Sequence, residues 1–218
     1  MSRKNDARLR LYSLKERNAL DAERRASMRG RFSALATRHE DGTAPQAVSS
    51  FNLFPTPPAI ARLMVERADF HAGHRILEPS CGTGRLLDAL PADVTCVAVE
   101  ISIPLQKHIF THYPNVSLKG GDFLTRTTAD LGGQFDRVLM NPPFQRGTDI
   151  KHILHAQRML TKDGVLVALC YNGSIQQRKL QPLTSSWEVL PDNSFGSEGT
   201  HASVALITMH AVLANDSP

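Results

Sequence analysis

Three cysteines, Cys81, Cys96 and Cys170, are all that 218 residues carry. They are odd in number, far apart and set in mostly apolar segments. That excludes a disulfide framework and leaves the reduced thiols of a cytoplasmic chain. No apolar run approaches membrane-spanning length, so no membrane partner is expected. The opening Met1-Ser2-Arg3-Lys4-Asn5-Asp6 lacks the apolar stretch of a secretory signal. There is no internal repeat and no low-complexity tract. His108 and His112 stand four apart on one expected helix, but no glutamate follows the first as a zinc-hydrolase motif requires. No metal is expected. Ser80 has no His/Asp set around it, so we do not read it as a nucleophile.

Length and an apolar content of 41% suffice for one sizeable core. Charge is uneven. Residues 1–50 hold 11 Lys/Arg against 6 Asp/Glu, whereas the other 168 hold 14 against 15. All the positive excess lies in the first segment, which reads as a basic helical extension able to lie on a polyanion; a solvated helix fits the charge equally well. Asp41-Gly42-Thr43-Ala44-Pro45 loosens the chain before a boundary near residue 50. The main domain is expected over 51–212, with a short tail at 213–218.

Within that domain the patterning alternates. Residues 57–68 read as a helix with Thr56 as its cap and proline in its first turn. Strands are expected at 75–79, 95–100, 116–123, 135–140 and 164–171, with helices at 83–90, 103–113 and 149–160 between them. Strands at 187–190 and 203–210 close the chain without a helix between them. The expected fold is α/β: a doubly wound, seven-stranded, mostly parallel sheet with an antiparallel C-terminal hairpin.

Asn141-Pro142-Pro143-Phe144 ends the apolar run Phe135–Met140. Two prolines stop a strand, because each lacks a ladder donor and restrains its predecessor. The stiff turn presents an amide, backbone carbonyls and a ring at the carboxyl end of the sheet, where such sheets bind ligands. It suits gripping a planar group that carries an NH2. Upstream, Glu78-Pro79-Ser80-Cys81-Gly82-Thr83-Gly84 joins a strand to an expected helix, the context a Gly-x-Gly turn needs. Leu87 stands where a dinucleotide fingerprint has its third glycine, which argues against NAD. Glu100 ends the next strand, 18 residues past Gly82, placed for ribose hydroxyls. Asp122-Phe123 ends the following one and offers a carboxylate and a ring to adenine. Together these favour an adenosine-containing ligand without pyrophosphate.

These residues resemble the class I S-adenosylmethionine-dependent methyltransferases, in particular the amino-methyltransferases acting on adenine N6. The resemblance runs from about Phe51 to His210 and is nearest to small phage- and plasmid-borne DNA adenine methyltransferases. It implies a Rossmann-like fold and S-adenosylmethionine as cofactor. Its cofactor contacts would be Phe54-Pro55-Thr56, the loop from Glu78 through Ser80, Cys81 and Gly82 to Gly84, Glu100-Ile101 and Asp122-Phe123. Its catalytic residues would be Asn141, Pro142, Pro143 and Phe144. It further implies substrate contacts from His152, in the run Asp149-Ile150-Lys151-His152, and from Phe195, which precedes Gly199-Thr200; beside these stand a helix-surface position for His152 and, favoured by its type, a core position for Phe195. No long segment follows the last strand as a target-recognition domain, so a protein partner for target recognition is possible. DNA is the expected substrate. Ribosomal or transfer RNA, a protein glutamine amide, and a cofactor-binding subunit without activity of its own remain the alternatives.

Overall fold

The computed structural model describes residues 54–91, 93–195 and 202–212. Expectations for residues 1–50, Gly199-Thr200 and the tail lie outside them. Seven strands form one sheet: β1 (Arg75–Pro79), β2 (Thr95–Glu100), β3 (Ser117–Gly120), β4 (Phe135–Met140), β5 (Leu160–Tyr171), β6 (Ser186–Val189) and β7 (Val204–His210). Their order is β3-β2-β1-β4-β5-β7-β6. The first five run parallel, and β7 is antiparallel to both β5 and β6.

The central strands are buried almost end to end because helices cover both faces. Alternate residues divide between two layers, as the two-residue period of a strand requires. On one face Val138 and Met140 pack with Leu166 and Ala168 under Ile150, Ile153 and Ala156 of a helix over Thr148–Gln157. On the other, Leu139, Val167 and Leu169 meet Ala61, Met64 and Ala68 of a helix over Pro58–Ala68. Ile76, Cys96 and Ala98 meet Ile109 of a helix over Ile103–His112. In chain order these helices are α1 (Pro58–Ala68), α2 (Ile103–His112) and α3 (Thr148–Gln157); α4 (Ser174–Leu180) follows β5. No helix among the described residues is long and apolar enough to cross a membrane.

Several elements depart from the sequence reading. Thr56 does not cap α1. The cap position is Pro57, with no side-chain bond, and Thr56 is committed elsewhere. The helix expected at 83–90 is a set of turns with one 3-10 turn at Leu87–Ala89. Gly84 there has φ +83°, and a Cβ on it would meet the Tyr113 ring at 2.6 Å. With Pro91 forcing Leu90 to extended geometry, too few residues remain to propagate a helix. β3 stops at Gly120 rather than Phe123, because Asp122 accepts from the Leu124 amide and starts a 3-10 turn. The helix over 149–160 ends at Gln157. Leu160 already pairs with Phe135, and Lys162-Asp163-Gly164 forms a bulge inside β5. A Cβ on Gly164 would lie 2.9–3.0 Å from the carbonyls of Thr161 and Phe135, so only glycine fits the bulge. α4 had no sequence signal beyond a short polar stretch with Ile175 and Leu180.

Candidate active site

The carboxyl ends of β1, β2, β4 and the loop after β3 surround one cleft. Its larger part is a cavity of ≈ 290 Å³ lined by Phe54, Ser80, Glu100, Ile101, Asp122, Phe123, His152 and the whole Asn141-Pro142-Pro143-Phe144 turn. A smaller hollow of ≈ 30 Å³ lies against Pro55, Thr56, Glu78, Cys81 and Gly82. Phe54, Ser80 and Asn141 line both, so the two are one site. Sequence reasoning missed Leu105, Leu124 and Thr148, which also line the larger part. They are ordinary apolar or helix-start positions, and no sequence signal distinguishes them.

Asn141 leaves the end of β4 with its side chain held. Its Nδ2 donates to the Phe54 carbonyl at 2.9 Å and to Thr56 Oγ1 at 3.1 Å. Both amide hydrogens are thereby used, and among the described residues no donor engages Oδ1. The oxygen is the group presented to the cleft. Thr56 is 4% exposed, which fixes its hydroxyl beside the amide. Phe144 is half-buried. It lines the cavity and rests against the cluster of Leu139, Leu169 and Phe195.

Glu100 is committed to the backbone on both oxygens. Oε2 accepts from the Gly82 amide at 2.8 Å and Oε1 from the Ser102 amide at 2.8 Å. Each oxygen keeps a lone pair for a further donor. Glu78 is the opposite case. It is 3% exposed, and its Oε2 has no hydrogen-bond partner although buried. Burial, and then the charges of Asp88 and Glu100, push its carboxyl well above the usual range. An unpaired buried carboxyl costs stability unless a cation meets it. It sits in the wall of the smaller hollow.

Ser80 has φ +62°, a left-handed conformation that glycine ordinarily supplies. Its Oγ lies 3.3 Å from His152 Nδ1. His152 is 6% exposed. Burial pulls its imidazole down to about 4, partly opposed by the Asp122 charge and reinforced by His155. It is neutral at pH 7. Cys81 is 5% exposed, and burial raises its thiol far above neutrality, as suits an inert lining residue.

Three expected contacts change. Phe195 is not at the cleft; it is 2% exposed and belongs to the core beneath Phe144. Gly84 lines neither part of the site. Its missing Cβ makes room for Tyr113, whose hydroxyl donates to Asp88 Oδ1 at 2.8 Å. Phe123 lines the cavity, but its ring is 2% exposed and stacked edge-on with His155 at 4.9 Å, so it walls the cavity from within the core. Asp122 is exposed, with Oδ1 already capping Leu124.

No protein-family model and no curated protein matches the sequence. Solved structures do share the fold. A class I S-adenosylmethionine-dependent methyltransferase from Listeria monocytogenes superposes with TM-score 0.61 at 18% identity, over 79% of this chain and 65% of its own. A dimethyladenosine transferase from Plasmodium falciparum gives 0.56 at 15%, over 72% and 63%. A modification subunit of a type I restriction enzyme from Vibrio vulnificus gives 0.56 at 18%, over 74% and 45%. The chain thus spans less than two thirds of the length of each. At such identities the likeness establishes the α/β fold, and chemistry has to be argued from the cleft.

Proposed function

We propose that the chain is an S-adenosylmethionine-dependent methyltransferase that transfers a methyl group to the exocyclic N6 amine of adenine in DNA, residues 51–212 being its catalytic domain. The observation that carries this reading is the Asn141 amide. Its donors are tied back to Phe54 and Thr56, so its acceptor oxygen faces a cleft edged by acidic strand ends. The neighbours named above, a class I S-adenosylmethionine-dependent methyltransferase, a dimethyladenosine transferase and a restriction-enzyme modification subunit, fit the same reading.

The cleft suits the cofactor. The orphaned Glu78 oxygen offers a partner for the ammonium of an amino-acid moiety. The free lone pairs of Glu100 suit ribose hydroxyls. Ile101, 67% exposed at the cavity edge, and Phe123 give apolar walls for a purine, with Asp122 at its rim. S-adenosylmethionine, when bound, supplies a methyl already activated on a sulfonium.

The protein's own part is positioning. An adenine N6 is a weak nucleophile because its lone pair is delocalised into the ring. Asn141 Oδ1 and the Pro142 carbonyl accept its two hydrogens, which localises the pair and aims it. Phe144 stacks on the base, a contact worth about 1–3 kcal/mol. That offsets much of the few kcal/mol needed to extrude a base from a duplex. Holding reactants in contact contributes roughly 7–11 kcal/mol; the proton that N6 sheds once the methyl has left the sulfonium sulfur passes to solvent water.

The test is transfer of labelled methyl from the cofactor to duplex DNA, single-stranded DNA, total RNA and cell extract, offered separately. Label confined to DNA as N6-methyladenine is expected. Label in RNA or in a protein glutamine reassigns the substrate. Tight cofactor binding with no label in any arm would make the chain a cofactor-binding subunit.

A further inference from the structure

Beside the Asn141 turn the same sheet edge carries a cationic surface that the transfer chemistry does not use. β4 and β5 are paired neighbours, with Met140 opposite Ala168, so the tip of β5 at Tyr171 stands next to the turn. One buried carboxylate assembles this corner. Asp149, fully buried at the start of α3, accepts from the Ile150 amide at 2.9 Å and the Tyr171 amide at 3.1 Å. It also accepts from Gln176 Nε2 at 3.0 and 3.1 Å. Helix α3, the β5 tip and helix α4 are thereby fixed together.

On this corner Arg146, Lys151, Arg178 and Lys179 are exposed, and none has an ion-pair partner among the described residues. From Asn141 to Ser185 the chain has two carboxylates. Asp149 is spent internally, and Asp163 pairs with Lys162 at the opposite end of β5. Among the described residues this segment therefore brings an excess of positive charge to the edge. Tyr171, 42% exposed, ends β5, and Ile175, 53% exposed, stands on α4 with Arg178 and Lys179. The Tyr171 ring covers Gly173, where a Cβ would come within 2.7 Å of it, so its orientation is set.

We infer that this corner, built from the β5 tip, α4 and the loop after Phe144, holds the phosphodiester backbone of a nucleic-acid substrate beside the adenine site; the inference rests on the nucleic-acid reading above. Four unpaired cations neutralise phosphates, and a fixed, half-exposed ring offers a stacking face to an unpaired base.

The experiment uses the full chain and its double variant Arg178→Glu/Lys179→Glu. Affinity for duplex DNA and for single-stranded RNA is measured by fluorescence anisotropy across a salt series. Arg158→Glu/Lys162→Glu, at the far end of α3 and β5, makes the same change in net charge and serves as control. Losing two phosphate contacts should lower the duplex salt slope by about 0.9 per contact and weaken binding at low salt more than tenfold. The control should keep the wild-type slope, and cofactor binding should be equal in all three. Whichever polymer shows the loss supplies the phosphates. Equal loss in both variants, or binding untouched by the first, overturns this surface and leaves the methyltransferase reading standing. A wild-type chain that binds neither polymer and labels protein overturns both.

Discussion

Replacing His152 by glutamine should remove an acid-sensitive step in stability. Its imidazole sits near 4 in the folded protein because burial opposes the charged form, against an ordinary value of 6.5. Between those values the unfolded chain binds the proton and the native chain does not. Native stability therefore rises with pH through that window and is lost as pH falls from 6.5 towards 4. The gap over the whole window corresponds to roughly 3 kcal/mol at 1.36 kcal/mol per unit. From pH 7 to pH 5 this one residue should cost the wild type about 2 kcal/mol. Glutamine keeps a polar group near Ser80 and cannot titrate. Urea unfolding of both proteins at pH 7 and pH 5 measures the difference, which should shift the wild-type midpoint by about 1 M relative to the variant. Comparing the two cancels the contributions of all other groups. Parallel losses would refute the reasoning and mean that the buried ring finds a partner for its proton, as Asp122, whose charge opposes the shift, could supply.

Three further outcomes are expected. Asn141→Ala should abolish turnover yet leave cofactor affinity, measured by calorimetry, within about twofold, since the residue acts on the acceptor amine; a collapse in affinity would make its role structural. Thr56→Val keeps volume but removes the acceptor that orients the Asn141 amide. A fall in kcat of about tenfold for each 1.4 kcal/mol lost, with KM little changed and recovery in Thr56→Ser, would identify it as a positioning residue. Glu78→Gln should raise the melting temperature of the ligand-free protein at pH 8 more than at pH 5. The raised carboxyl penalises the fold as pH climbs above the unfolded value. The same change should weaken cofactor binding at least tenfold; a variant that binds normally would exclude Glu78 as the ammonium partner.

Strands were legible where both faces are buried. β2 and β4 fall on their expected residues because a continuous apolar run between turn signals leaves little choice. What failed was set by local turn chemistry or by partners distant in sequence. Gly84, in left-handed geometry beside the Tyr113 ring, interrupts a helix that local propensity allows, and Asp122 ends β3 early by capping its own turn. α4 is held by Gln176 on Asp149 and by Leu180 in the core, neither of which announces itself in seven residues. Of the site, Asn141, Ser80 and Glu100 reach the cleft because each ends or follows a strand, a position that sequence spacing defines. The link from Thr56 to Asn141 spans 85 residues, and pattern reasoning took the threonine for a helix cap. Phe195 takes the core position that an aromatic ring in an apolar setting favours, and not the substrate contact that resemblance also offered.

The position of β7 has a bearing on synthesis. It lies between β5 and β6 in the sheet although it comes after both in the chain. During translation β5 must wait, with its hydrogen-bonding edge open and apolar, until residues 204–210 leave the ribosome, and β6 has nothing to join before then. A nascent chain stalled after Val189 would carry an unguarded edge ready to recruit another such chain. Slow decoding or truncation in the last stretch should therefore lead to aggregates.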